Sequence, residues 1–317
     1  HSVTRIGPRH AREVVPVQQL QTVTVAHKTS RAGDPHRHIH FQIGTRVYAA
    51  GKWRGLDTAA LFKQQGAVRA LGTAIIAAHR RLAAVLDKHG LTLDPATGEV
   101  AELEPFNAAL SKRGAQVERN LATFEADWEA AHPGEEPGPV VRARLKAKAW
   151  EHERPGKKPT VPGSEAGWRA ELEDGGYSPD APRAHRPAPV ALGELRIEEV
   201  ASRALDRAAA GTSAWTVHTL REHVTRITTE HGVQATPEQL REFVQLATQL
   251  AASDCLSVFP PGAPTPEHVA HLTSLRVVAA ETELRDLLTA RAEKSNQRVP
   301  DLHELAVLAD LDDDQER

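Results

Sequence analysis

Three histidines, His27, His38 and His40, are the residues of this chain whose type and spacing most directly imply chemistry. His38 and His40 lie two apart in HIHFQIGTRVY (38–48), a stretch that alternates polar and apolar residues. In a strand, residues two apart point to the same face, so both imidazoles share one side. His27 closes an earlier alternating stretch, QLQTVTVAH (19–27), in step with Val23 and Val25. If the two stretches pair, three nitrogen donors converge on one face, while Ile39, Phe41 and Ile43 are expected to anchor the other. Neutral imidazoles set this closely suit a divalent metal that keeps open positions for a substrate oxygen. The competing reading is three ordinary histidines on a polar face.

The elements that must position them follow from the pattern. Two strands, 19–27 and 38–48, are rich in Val, Ile and Thr and are joined through the turn residues Gly33-Asp34-Pro35, which makes them antiparallel neighbours across a ten-residue connection. Ala50-Gly51-Lys52 marks the next turn. From Asp57, an N-cap candidate, Leu61, Phe62, Val68, Leu71, Ile75, Leu82 and Leu86 recur at helical spacing up to a C-cap at Gly90. A second helical stretch runs over 105–131 with an interruption expected near Gly114, and 140–152 reads as a short basic helix.

The string HKTSRAGDPHRHIHFQI (27–43) resembles the metal motif of the MobF conjugative relaxases, the TrwC/TraI type of the HUH endonucleases. Their pattern is His-x-Thr-Ser-Arg-x-x-Asp-Pro-x-x-His-x-His, and it is matched at His27, Thr29, Ser30, Arg31, Asp34, Pro35, His38 and His40. GKWRGLD (51–57), SKRGAQVE (111–118) and Thr4-Arg5-x-Gly7 are similar to three further family segments. The likeness covers about residues 1–150 and continues more loosely to about 290.

The resemblance implies an enzyme that nicks and transfers one DNA strand at an origin of transfer. His27, His38 and His40 would hold Mg²⁺ or Mn²⁺ to polarise the scissile phosphate. A tyrosine would attack and form a 5′-phosphotyrosyl link. Family nucleophiles lie well upstream of the first ligand histidine. Tyr48 and Tyr177, the two tyrosines present, do not occupy that position, so the nucleophile and the acid that orients a ligand histidine are expected in a segment preceding His1. His36 corresponds to a variable family position and reads as a loop residue. Arg31 is a candidate phosphate contact or a loop-bracing ion pair with Asp34. Lys52 and Arg54 flank Trp53, a basic-aromatic pattern suited to single-stranded DNA. Trp53 reads equally well as a plug beneath the following helix.

Composition bounds the alternatives. Hydrophobic residues make up 40% and charged residues 26%, ordinary for a globular chain. No apolar run approaches the ~20 residues of a membrane-spanning helix, and no signal-peptide pattern opens the chain, so a cytoplasmic location without membrane insertion is expected. One cysteine, Cys255, excludes an intrachain disulfide and a cysteine-built zinc finger, and it reads as a core residue. The absence of methionine suggests a piece of a longer protein. Residues 1–60 carry nine Lys/Arg against three acids, whereas 301–317 carry seven acids and one Arg. The first is a candidate polyanion surface and the second a solvated tail.

The fold class expected is α+β: an antiparallel sheet carrying the three-histidine metal site with flanking helices, then a mostly helical C-terminal region. Residues 1–153 would form the relaxase domain and 154–190, rich in Pro and Gly, a linker holding one short helix at Trp168 and Leu172. Residues 191–317 would form a helical region, with a winged-helix-like unit at 213–259, leading into a helicase domain of the same full-length chain. No phosphate-binding Gly-x-x-x-x-Gly-Lys-Ser/Thr string is present. Three other readings are an HUH rolling-circle replication initiator, a three-histidine hydrolase or cupin-type oxygenase, and a single-stranded-DNA-binding module without chemistry. The long helices that follow the His-x-His strand argue against a cupin barrel.

Overall fold

A computed structural model describes residues 2–8, 10–156, 163–180, 182–185, 188–263, 265 and 267–296. The acidic stretch 301–317 and some of the Pro/Gly-rich stretch 154–190 lie outside the described residues.

The first half is built on antiparallel strands. β1 (Val3–Ile6) pairs with β2 (Glu13–Pro16), and β3 (Gln19–Thr29), β4 (Pro35–Ala49) and β5 (Lys52–Gly55) form a three-stranded sheet in that order. The tight β1–β2 connection needs Gly7, which sits at φ +94° with no room for a β-carbon against the Ala11 carbonyl. β3 and β4 run longer than the alternation alone predicts, so their connection is Ser30–Asp34 rather than ten residues.

Three short helices follow: α1 (Thr58–Lys63), α2 (Gln65–Ala77) and α3 (Arg80–Lys88). The continuous apolar spacing reads as one helix, but the chain breaks at Gln64 and at Ala78–His79. Asp57 caps α1, its Oδ1 accepting from the backbone N–H groups of Ala59 and Ala60. His79 caps α3 through Nδ1, which accepts from the Leu82 N–H. A 3₁₀ turn over Ala101–Phe106 leads into α4 (Asn107–Leu110) and α5 (Lys112–Ala131). The interruption therefore falls at Ser111, three residues before Gly114. α6 (Pro139–Glu151) packs on α5 through Val117, Phe124 and Ala149.

The short helix expected in the Pro/Gly-rich stretch is α7 (Ser164–Asp174). After it come β6 (Val190–Ala191), α8 (Ile197–Gly211), α9 (Val217–Glu230), β7 (Val233–Gln234), α10 (Pro237–Ser253), β8 (Leu256–Ser257), β9 (Leu272–Thr273) and α11 (Leu275–Asn296). β6 pairs with β7 in parallel and β8 with β9 antiparallel. The helices enclose the two largest apolar clusters among the described residues: Val200, Ala204, Val224, Ile227, Val244 and Ala247 form one. Trp215, Leu220, Ala251 and Leu272 form a second, against which Cys255 packs. α2 joins the two halves. Its partner α9 comes so close that a methyl at Gly66 would collide with the Glu222 carboxylate. Beyond α2, Ala78 packs with Val233 and Leu240. The architecture is α+β, with an antiparallel sheet followed by a helical region. Among the described residues no helix is long and apolar enough to cross a membrane.

Glu102 ties two connections together. Its carboxylate accepts from the N–H of Thr92 at 2.6 Å and of Ala184 at 3.0 Å. Burial alone would raise this carboxyl, but hydrogen bonds from Thr92 and Ala184 outweigh it and hold the pKa at about 2, against an ordinary 4.5. The charged form is therefore favoured by folding. Its stabilisation is complete above pH ~4.5 and is lost as pH falls through ~2. Glu102→Gln is expected to lower stability at neutral pH and to flatten the acid limb of stability against pH, measured by urea unfolding from pH 7 to 2. An unchanged acid limb would show that other carboxyls govern it.

Candidate metal centre

Register brings the three histidines together. His27 pairs directly with His38 across β3 and β4, and Val25 with His40. Directly opposed residues of an antiparallel pair point to the same side, so His27, His38 and His40 share one face with Val23, Val25 and Gln42. The ring centroids of His27 lie 5.3 Å from His38 and 4.6 Å from His40, and His38 and His40 are 4.8 Å apart. One ring nitrogen from each lies within 4.8 Å of the others.

Tautomer follows from the backbone. Nδ1 of His38 lies 2.8 Å from the His36 carbonyl oxygen. A carbonyl only accepts, so Nδ1 carries the hydrogen, and in the neutral ring Nε2 keeps its lone pair. That Nε2 lies 3.1 Å from His40 Nε2. Two nitrogens each about 2.1 Å from one ion at a right angle would be separated by about 3 Å, so this spacing fits two neighbouring ligands. The His36 carbonyl stands where carboxylates or carbonyls stand behind imidazoles that bind metals, as a candidate centre would need. His36, expected in the loop, lies in β4 instead, and besides its carbonyl its ring comes within 4.7 Å of the His38 ring.

The opposite face differs from expectation. Ile39 is 68% and Phe41 58% exposed, so they do not anchor the strands. β5 pairs only with Arg46–Ala49 of β4, so the sheet is just two strands wide where it bears the histidines, and among the described residues no layer covers Ile39 and Phe41 there. Burial in the sheet is instead at Val47 and Ala49.

What steadies the histidine-bearing strands is their connecting loop. Asp34 is 1% exposed. The Ser30 hydroxyl donates to Asp34 Oδ2 at 2.9 Å and accepts from the N–H groups of Ala32 and Asp34. Gly33, at φ +93°, supplies the left-handed residue of the turn. Trp168 of α7 donates its indole N–H to the Gly33 carbonyl at 3.1 Å. Lys112 of α5 sits 4.0 Å from Asp34 Oδ1 and 2.7 Å from Glu171 of α7. The cation near Asp34 is therefore Lys112, while Arg31 is exposed at the loop. Sequence reasoning did not assign Ser30, Lys112 or Trp168 a role in this site. The Ser-x-x-x-Asp spacing around a Gly could have signalled the brace; the contacts with Lys112 and Trp168 are purely tertiary.

The remaining candidates lie on β5. Trp53 faces Tyr48, ring centroids 5.9 Å apart and edge to face, and remains 39% exposed. It is thus neither a buried plug nor a free aromatic. Arg54 donates from Nε to the Ala49 carbonyl at 2.9 Å and from a terminal nitrogen to that of Ala50, which braces the β4–β5 turn. Lys52 is exposed. Tyr177 packs edge to face on Phe106.

Residues 1–174, more than half of the chain, match the family model of the TrwC relaxase. The chain belongs to the TrwC relaxase family. No curated protein matches it. Among solved structures, it is similar to TrwC complexed with a 27-mer DNA comprising the recognition hairpin and the cleavage site, at 23% identity over 56% of this chain and 60% of that one, with a TM-score of 0.38. It is also similar to metal-free and copper-bound structures of the conjugative relaxase TrwC with oriT DNA. Both are 22% identical over 56% of this chain, covering 59% and 58% of theirs, with TM-scores of 0.39. The chain thus spans about three fifths of those proteins' length. Within this relaxase family member, the segments that carried the resemblance meet in space. The Thr4 hydroxyl donates to the Gly55 carbonyl, Arg5 pairs with Asp57 at 2.7 Å, and Lys112 reaches Asp34.

Ser30→Ala removes the acceptor of two backbone N–H groups and the donor to a buried carboxylate. We expect a loss of about 1–3 kcal/mol in stability and faster hydrogen exchange at the Ala32 and Asp34 amides. Unchanged exchange there would show that Trp168 and Lys112 alone hold the loop.

Proposed function

We propose that this chain is the metal-holding portion of a relaxase that nicks one strand of DNA at an origin of transfer and transfers it through a phosphotyrosine intermediate. The observation that carries this reading is the convergence of His27, His38 and His40 on one face of two registered strands, in a chain of the TrwC relaxase family. In the proposal these three residues are the ligands, and the ion is Mg²⁺ or Mn²⁺. When bound, the ion supplies positive charge that polarises the scissile phosphate and offsets charge developing on its oxygens. The backbone of His36 fixes the His38 ring, and the Ser30–Asp34 brace holds β3 and β4 in register beneath it. Lys52 and the remaining N–H groups of Arg54, with Arg31 in the loop, contact backbone phosphates. Trp53 offers a ring edge and some of a face to an unstacked base.

Tyr48 and Tyr177 belong to the framework in this reading, each packed edge to face on another aromatic ring, and the nucleophile is neither of them. The chain divides into the relaxase domain at 1–153, a connecting stretch at 154–190 and the helical region at 191–317, which would lead into a helicase domain of the same cytoplasmic protein. α7 pins the connecting stretch onto the loop between the ligand strands.

The test combines metal and DNA. Mn²⁺ is expected to bind the chain at one site per molecule, and His38→Ala to weaken that binding at least tenfold, the loss that removal of a supporting partner alone can cause. Single-stranded DNA carrying a cognate nick site should bind with an affinity that falls steeply with salt, as neutralised phosphates require. With Mn²⁺ this chain should give no covalent DNA–protein band. Metal affinity indifferent to His38→Ala would refute the centre, and a covalent band lost on Tyr48→Phe would reassign the nucleophile.

A further inference from the structure

A second site lies away from the histidines, where α2 crosses α9 and α10. A cleft of about 520 Å³ opens there. Its floor is His218, only 2% exposed. Burial above all, and then the neighbouring Arg221, push this imidazole below its ordinary pKa, so at neutral pH it is an uncharged ring. Arg221 lies 3.4 Å from its Nδ1. Glu267 lies 4.0 Å from its Nε2 and closes one side.

One wall is a stripe along α10. Arg241, Gln245 and Gln249 recur every fourth residue and all line the cleft. They therefore stand one above another on one helix face, spanning about 12 Å. The facing wall, from α2, is apolar, with Val68 and Leu71 lining it. Val68 is 64% exposed, so its side chain is open to an occupant of the cleft.

The chemistry of the walls specifies an occupant. Arg221 and Arg241 both line the cleft, against one acid of its lining, Glu267, and with Glu238 4.0 Å from Arg241; guanidiniums suit a phosphate, which Arg binds through paired N–H groups. Primary amides a turn apart offer both donors and acceptors, as nucleobase edges require. An apolar wall opposite the amides suits the face of a flat ring. The volume falls within the range of small-ligand sites; it admits a mononucleotide and excludes a duplex. We propose that this cleft binds a single nucleoside phosphate, as a free nucleotide or as one unstacked unit of a DNA strand. In the second case it rests on the relaxase reading and adds a contact on the helical region, distinct from the histidine face.

The experiment uses the full chain with dAMP, dTMP, inorganic phosphate and a short oligothymidylate as separate titrants. Binding is read by calorimetry and by NMR shifts of the Gln245 and Gln249 side-chain amides. Arg241→Ala and Gln245→Ala alter polar side chains of a well-packed helix, and their melting curves establish that the fold persists. Saturable binding of a mononucleotide, weakened roughly tenfold or more in Arg241→Ala as loss of a charged hydrogen bond predicts, supports a free-nucleotide site. Binding of the oligomer alone, with the same amide shifts and the same sensitivity, supports a strand-binding site. Inorganic phosphate binding as tightly as the nucleotides, or affinities identical in wild type and both variants, would overturn the proposal. His38→Ala separates the two readings: it should abolish Mn²⁺ binding and leave the cleft's affinity for mononucleotides unchanged. Nucleotide binding that survives while Mn²⁺ binds nowhere would sink the metal centre and leave the cleft standing.

Discussion

Every feature of the candidate metal centre depends on one pairing, His27 opposite His38 across β3 and β4. A slip of one residue would turn His27 to the face opposite His38 and His40, because side chains alternate with period two. Register is ordinarily enforced by burying one face of a sheet. Here that device is weak, since Ile39 and Phe41 are exposed on one face and Val23 and Val25 on the other. The loop carries the constraint instead. Five hydrogen bonds within the loop close the connection: the Ser30 hydroxyl accepts from two backbone N–H groups and donates to the Asp34 carboxylate, the Ser30 N–H donates to the Asp34 carbonyl, and the Gly33 N–H donates to the Ser30 carbonyl.

That loop is itself anchored from a distance. Trp168 reaches it from 135 residues further along the chain, and Lys112 reaches both Asp34 and Glu171. A buried carboxylate is costly unless a cation or hydrogen bonds compensate it. Asp34 has Ser30 on one oxygen and Lys112 at 4.0 Å from the other. Removing α7 or α5 would therefore act on the histidines without touching them. α7, which falls within the stretch that composition marks as a linker, serves here as a clamp on the histidine-bearing strands.

The helical region is organised differently. Alanines on α8 and α10 let the helices approach closely around Val224, Ile227 and Leu220, and apolar burial of this kind supplies most of a helix bundle's stability. α2 leans on this bundle through Gly66, so the cleft at α2, α9 and α10 links the sheet-bearing half to the helices. A ligand there would contact both halves at once.

The sequence by itself determined the alternation along β3 and β4, the shared side of His38 and His40, the ligand candidates and the cap at Asp57. Alternation places His38 and His40 together, and Asp57 is a capping side chain wherever its helix begins, because both are effects of adjacent residues. It also carried the family resemblance, through residues whose spacing is local. It did not determine that Asp34 answers to Lys112 rather than Arg31, that Arg54 is spent on the β4–β5 turn, that Ile39 and Phe41 stay uncovered, or that His218 is buried at the floor of a cleft. Each of those depends on which distant element packs against which. Ion pairs and burial are settled by tertiary proximity, and no periodicity in the chain encodes a contact between Gly33 and Trp168.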